Sequence, residues 1–422
     1  MTDRHRSLEF EDALELAMRS YAAEGLRSFD PEAIGAQAVA HGAQSWWKGQ
    51  GPTPLFAMPV LRLALLVVLL AAAVGALAVV GAHLLTPTPP IPGDLAVGSR
   101  GHIAIVDPSS KFTRVLTPLG ASDNFPVWSP DGTRIAFSQT TGRGQLQVMD
   151  ADGGNLHALV PGMTSAEPVA WSPDGERLAF DGYGYPGGAG PGLYVVRPDG
   201  TDLTMLVPDD KGSGISRIAW SPDGSLIAFA AIDDSRPVDG AGGYVYVVDV
   251  ASRVVTPVST SHVETFGSIA PLAWRQGAME LLYAQQYIEA LNFGHEDVLL
   301  AEWVGDGWRE RPLITGLQPS DATYPEWLDA GRFAYARDGG LWVAGVDGRQ
   351  EVRIGDVPSD PSQPSGDEQY PGCVAPDGSA LAIPLNVTDA VGDAFVVVPT
   401  DGRPVTRIDI PGVACSWQAT RP

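Results

Sequence analysis

The pentapeptide WSPDG occurs three times, at residues 128–132, 171–175 and 220–224, and short apolar segments follow: RIAF, RLAF and LIAF. Asp-Gly between two apolar segments marks a tight β-hairpin, because both residues tolerate positive φ. Pro ahead of the pair suits a turn and removes an amide donor that a tight loop leaves unpaired. Weaker copies follow around Trp274 (AWRQGAMELLYA), Trp327 (EWLDAGRFAYA) and Val374 (CVAPDGSALAI), and a last CSW ends at Trp417. Successive anchors, at 128, 171, 220, 274, 327, 374 and 417, lie between 43 and 54 residues apart. A second set of turns, such as DADGG at Asp150, RPDGT at Arg197 and PTDGR at Pro399, ends a third strand in the repeat. A fourth strand leads to the next anchor. Repeats of this period with four strand-like segments predict propeller blades.

Residues 94–422 number 329, which is 47 per blade for seven blades and about 55 for six. The front of this region reads as three strands lacking a first, and the tail VACSWQ reads as a first strand alone. Joined, they make a seventh blade that closes the ring through both chain ends. The expectation is an all-β, seven-bladed β-propeller over 94–422, with six blades as the alternative. Asp131, Asp174, Asp223 and Asp377 are expected to be solvated turn residues with no metal or catalytic role.

The first part of the chain is of another kind. From Leu63 to Leu85 there are 23 residues without Asp, Glu, Lys or Arg. At roughly 1.5 Å per residue such a helix spans a bilayer's hydrocarbon core. Residues 60–85 are therefore expected to form one transmembrane helix. Lys48 and Arg62 precede the run, while the first basic residue after it is Arg100. The positive-inside rule then places residues 1–59 in the cytoplasm and the propeller outside, giving a single-pass cell-membrane protein. Residues 1–59 read as a stub of short helices, with Leu14, Met18 and Tyr21 at helical spacing, or as partly disordered. Residues 86–93, TPTPPIPG, form a stiff spacer of roughly 25 Å at the polyproline rise.

Charge excludes one class of partner. Fifty acidic against 27 basic residues give a net charge of −23. Phosphate backbones are bound by Lys and Arg, so no nucleic-acid partner is expected. The two cysteines, Cys373 and Cys415, lie 42 residues apart on the first strands of the last two blades. An oxidising exterior permits a disulfide there. Their offsets from the anchors differ, because Cys373 directly precedes Val374 and Cys415 sits two before Trp417. That parity points the side chains to opposite faces. A bond and a pair of buried thiols both stand open.

The phrase AWSPDGxxxAF, followed by LYVVRPDGTDLTML, resembles the TolB-type propeller repeat, a relative of WD repeats that carries WSPDG in place of the WD dipeptide. The resemblance covers residues 94–422 and weakens in blades four and five. It implies the fold, together with binding of partners or peptides on the propeller face or channel. It transfers no set of binding residues. The N-terminal prefix is similar to those of membrane-anchored bacterial proteins.

No G-x-S-x-G elbow, P-loop or dinucleotide fingerprint is present. The expectation is accordingly no enzyme, no catalytic residue, no cofactor and no metal site. His295, Glu296 and Asp297 are adjacent in sequence, which is poor geometry for a closed metal site. Binding residues are expected where the insertions lie. Turns between strands one and two and between three and four share one face of a propeller, here called the turn face. The remaining connections share the other, the loop face, and every long insertion belongs to it. These are residues 183–192 in blade two, 233–243 in blade three, 285–297 in blade four, and the crossover 355–369 leaving blade five. Long loops on a rigid scaffold collect binding residues. The candidates are Tyr183, Tyr185, Asp233, Asp234, Arg236, Tyr287, Phe293, His295 and Glu296. Overall the reading is a monomeric, membrane-tethered scaffold or sensor that binds a protein, peptide or small ligand outside the cell. The alternatives are a regulator signalling through residues 1–59 and an enzyme with a channel active site.

Overall fold

In the computed structural model the chain divides into two units, residues 1–88 and 89–422. The structure describes residues 93–99, 101–120, 122–139, 144–184, 190–209, 214–232, 243–259, 272–289, 292–318, 325–356, 372–385, 394–409 and 414–418. The expected stub, transmembrane helix and proline spacer up to residue 92 lie outside them. Every regular element among the described residues is a strand. The strands form seven antiparallel sheets of four. This is a seven-bladed β-propeller, and the six-bladed alternative falls.

Blades one to six follow the anchors in order. Blade seven joins Ala414–Trp417 to Leu95–Ser99, His102–Val106 and Thr113–Val115. The C-terminal strand is innermost, and Leu95 pairs with Trp417 and Gly98 with Ala414. Closure through the chain ends is therefore as the sequence implies.

Each blade is buried on both sides, which explains why its middle strands are nearly continuous apolar runs. Successive side chains of a strand alternate between the two neighbouring blades. In blade three, Ala228 and Ala230 pack towards blade four, while Ile227 and Phe229 pack towards blade two. Seven apolar clusters result, one at each joint between blades.

The anchor tryptophans add a directional contact. In four of them the indole N–H donates to the carbonyl just before the preceding anchor: Trp171 to Val127, Trp220 to Ala170, Trp274 to Ala219 and Trp327 to Ala273, all at 3.0–3.1 Å. Arginines of the preceding blade lie over the same rings: Arg134 on Trp171, Arg177 on Trp220 and Arg275 on Trp327, at 5.2–5.6 Å. At blade six Val374 replaces the tryptophan, so no indole is available there. A disulfide between Cys373 and Cys415, with Cα atoms 5.9 Å apart, ties blade six to blade seven. The parity argument for opposite faces fails because the two cysteines sit on different sheets whose innermost strands approach side by side.

The SPDG turns are self-contained. Ser129, Ser172 and Ser221 donate to Asp131, Asp174 and Asp223 at 2.5–2.6 Å. The serine oxygens in turn accept the backbone N–H of Arg134, Arg177 and Leu226 at 2.9 Å. These exposed aspartates are thus fixed turn acceptors. The Ser172 hydroxyl, with the Glu176 amide, holds the Asp174 carboxyl below its ordinary range. At Gly378 (φ +68°) the turn passes so near blade five that a Cβ would strike the Leu328 carbonyl.

One insertion is not a loop. Residues 285–289 and 292–297 of blade four continue the strands Glu280–Glu289 and Asn292–Val304, and the fourth strand, Gly307–Leu317, lengthens with them. The second strands of the other blades have five to seven residues. At about 3.3 Å per residue, the excess lifts this hairpin roughly 10 Å above its neighbours.

Ending the chain at Gly412 removes the innermost strand of blade seven and should abolish the cooperative melt followed by circular dichroism. Deleting residues 1–59 should leave that melt in place. Replacing both cysteines, Cys373→Ser with Cys415→Ser, should cost about 2–4 kcal/mol in denaturant titration. An unchanged midpoint would mean that the bond contributes nothing to ring closure.

Candidate functional site

Buried polar side chains show which end of the propeller is built for more than turning the chain. Three of them are the SPDG serines, on the turn face. The others lie towards the loop face: Ser99, His102, Thr117, Asp123, Ser138, Gln147, Thr164, Asp181, Ser259, Gln285 and Glu296. Two of these only close a blade, since Thr117 accepts from the Ile103 amide and Ser259 from the Val245 amide. In blade one, the Gln139 amide donates to Asp123 at 3.0 Å and Gln147 reaches Gln139 at 3.5 Å.

Two carboxyls at this end are strongly perturbed. Asp181, near the end of Leu178–Tyr183 in blade two, is pushed up to about 6 by burial and then by the charge of Asp209. Glu326, at the start of Glu326–Trp327 in blade five, is pushed up to about 7 by burial. A desolvated carboxyl titrating near neutrality can hold a proton for a hydrogen bond. It can also ionise against an incoming cation, and such groups gather at functional sites.

Among the sequence candidates, Tyr287 and His295 meet. They are cross-strand partners on the blade-four hairpin, with ring centroids 4.7 Å apart and planes 12° from parallel. His295 Nε2 lies 3.8 Å from the Asp297 carboxylate, which accepts the Gly316 amide at 2.8 Å. Glu296 is buried beside them. All four are strand residues, correcting the expected loop, and so is Phe293, whose side chain lies outside the described residues. Tyr183 is the last residue of its strand, exposed, and on blade two, so it belongs to a different sheet from the Tyr287–His295 stack. Tyr185, Asp233, Asp234 and Arg236 lie outside the described residues. Sequence reasoning missed Asp181, Glu326, Asp123 and Gln139. The available signal was a charged residue directly against an apolar strand, as in LAFD and in PEW.

On the turn face a groove of about 460 Å³ runs between blades two and three. Its lining includes Arg177, Arg197, Asp174, Glu176 and Asp202. Arg197 pairs with Asp202 at 2.7 Å and Glu176 at 3.4 Å, so its charges are largely spent on one another.

No family model and no curated protein matches the chain. Solved structures do. The tricorn protease is 13% identical and superposes with a TM-score of 0.55, covering 76% of this chain and 34% of that one. This chain thus spans about a third of the protease. An oligogalacturonate lyase in complex with manganese is 15% identical, with a TM-score of 0.54 over 71% of this chain and 82% of that one. The fold is shared. The chain is also similar to TolB of Acinetobacter baumannii, at 13% identity and a TM-score of 0.45 over 78% of this chain and 82% of that one. These relatives correct one expectation. The expectation of no enzyme, drawn from the missing hydrolase elbow and P-loop, does not hold, because the same fold occurs in a protease and a lyase. Missing motifs of other folds do not remove chemistry from a propeller.

The raised carboxyl at Glu326 has a consequence for stability. Its folded value exceeds the unfolded one, so its stabilising contribution is complete below about pH 4.5 and is lost as pH rises through about 7. Glu326→Gln should therefore melt a few degrees above the parent at about pH 8, with the gap closing by about pH 4. A gap independent of pH in calorimetry would show that the carboxyl is not desolvated.

Proposed function

We propose that the protein is a propeller-based binding module, tethered to a membrane through residues 63–85, which takes a ligand or protein partner on its loop face outside the cell. The observation that carries the reading is the unequal distribution of polar groups between the two faces. The turn face carries the short SPDG turns, and the loop face holds the desolvated Asp181 and Glu326 and the Tyr287–His295 stack. The carboxyls favour a partner that presents cationic or hydrogen-bonding groups, and the stack offers it a flat aromatic edge. The disulfide supports an extracytoplasmic site, because such bonds persist in oxidising compartments.

A second reading uses the same face for catalysis, with Asp181 or Glu326 as a proton carrier near neutral pH. The fold's occurrence in a lyase favours keeping it. Mass spectrometry of molecules recovered with the protein separates the two, since binding returns them intact and catalysis returns products.

The test is photo-crosslinking in cells from Tyr183, from Tyr287 and, on the turn face, from Trp303. Adducts should form from the first two positions. Tyr183→Ala combined with Tyr287→Ala should lower capture by about tenfold or more, with the melting temperature unchanged. Adducts only from Trp303 would place binding on the wrong face.

A further inference from the structure

Most guanidinium groups of this propeller are used within the fold. Among the described residues only Arg177, Arg253 and Arg309 make neither a side-chain hydrogen bond nor an ion pair. Two of these three line one place, the turn-face groove of about 460 Å³ between blades two and three. The turns that form it, residues 172–177, 197–204 and 249–253, all belong to the described residues.

Arg177 departs from its counterparts in the ring. Arg134 and Arg275 lie over Trp171 and Trp327 and donate to a carbonyl in the turn of the next blade, Gly175 at 3.3 Å and Ala330 at 2.6 Å. Arg177 lies over Trp220 in the same way, at 5.4 Å, but makes no such bond. The indole holds the flat face of the guanidinium, and its N–H groups keep their donor capacity.

Counted together, the charges of the groove cancel. Asp174, Glu176 and Asp202 stand against Arg177, Arg197 and Arg253. The three carboxylates are already engaged, however. Glu176 and Asp202 pair with Arg197, and Asp174 accepts the Ser172 hydroxyl and the Glu176 amide at 2.5 and 3.0 Å. Two uncommitted guanidinium groups remain, in a lining shared with Val195, Leu206 and Val250. A planar carboxylate matches the fork of a guanidinium. A dianion would be repelled by the same three carboxylates about twice as strongly as a monoanion. The apolar residues suit a short hydrocarbon body, and the volume falls within the range of about 300–1,000 Å³ usual for small-ligand sites.

We propose that this groove is a binding site for a small monocarboxylate with an apolar body, held by Arg177 and Arg253. It lies on the face opposite to the partner site proposed above and stands independently of that reading.

The experiment treats the full chain, with its disulfide intact, with phenylglyoxal in the presence of hexanoate, hexanamide or inorganic phosphate, and locates the modified arginines by mass spectrometry. Hexanoate should slow labelling of Arg177 and Arg253 several-fold while leaving Arg309, exposed and equally unpaired, at its free rate. Hexanamide, with the same body and no charge, should protect neither. No protection at Arg177 and Arg253, or equal protection at Arg309, overturns the site. Protection by phosphate as strong as that by hexanoate overturns the choice of a monocarboxylate, and so does protection by hexanamide. Calorimetric titration with hexanoate gives a second readout. Arg253→Gln, at an exposed position, should weaken binding about tenfold with the melting temperature unchanged. Arg177→Lys keeps a cation over Trp220 without the planar fork and should weaken it similarly. Full affinity in either variant overturns the role of that arginine.

Discussion

The pairing of Ala414–Trp417 with Leu95–Ser99 is the constraint on which the rest depends. No blade of four strands can bury both faces of its sheet alone, so each of the seven apolar clusters needs two blades. The clusters form a ring, and a ring is complete only when its first and last members meet. Four residue pairs bring them together. At four joints an anchor tryptophan then ties neighbouring blades, its indole N–H donating to a carbonyl of the blade before it.

That series of indole contacts is interrupted one joint before the disulfide, between blades five and six. Val374 provides no N–H donor, and beyond it the ring must still be carried from blade six to the composite blade seven. The covalent link between Cys373 and Cys415 lies at that joint, and both cysteines pack against the cluster around Phe395 and Trp417. The missing indole falls between blades five and six and the disulfide at the next joint, between six and seven, so the covalent bond secures the composite blade that the chain closes last.

Much of this was legible in the sequence. Asp-Gly turns, apolar strands and the anchor spacing gave the blade number, because local turn chemistry and a fixed period both survive in primary structure. The split blade was visible as two incomplete pieces. The site was harder to read. Residues 285–297 contain Gln285, Gln286, Glu289, Asn292 and Glu296, and that polar content reads as a loop. These residues extend the hairpin beyond its neighbours, where Gln285 and Glu296 are buried as polar rather than apolar side chains. Asp181 and Glu326 were missed for the opposite reason, since burial is a property of the assembled ring and their perturbation does not exist until neighbouring blades enclose them.

The central position of Leu95–Ser99 in its half of blade seven has a mechanical side. The strand is hydrogen-bonded to Ala414–Trp417 on one flank and to His102–Val106 on the other. A pull applied at Asp94 along the strand axis loads both ladders in shear, with all the hydrogen bonds sharing the force at once. A strand at the outer edge of a blade would instead be peeled one bond at a time. The first residues of the propeller to feel a pull are therefore among the best secured in it.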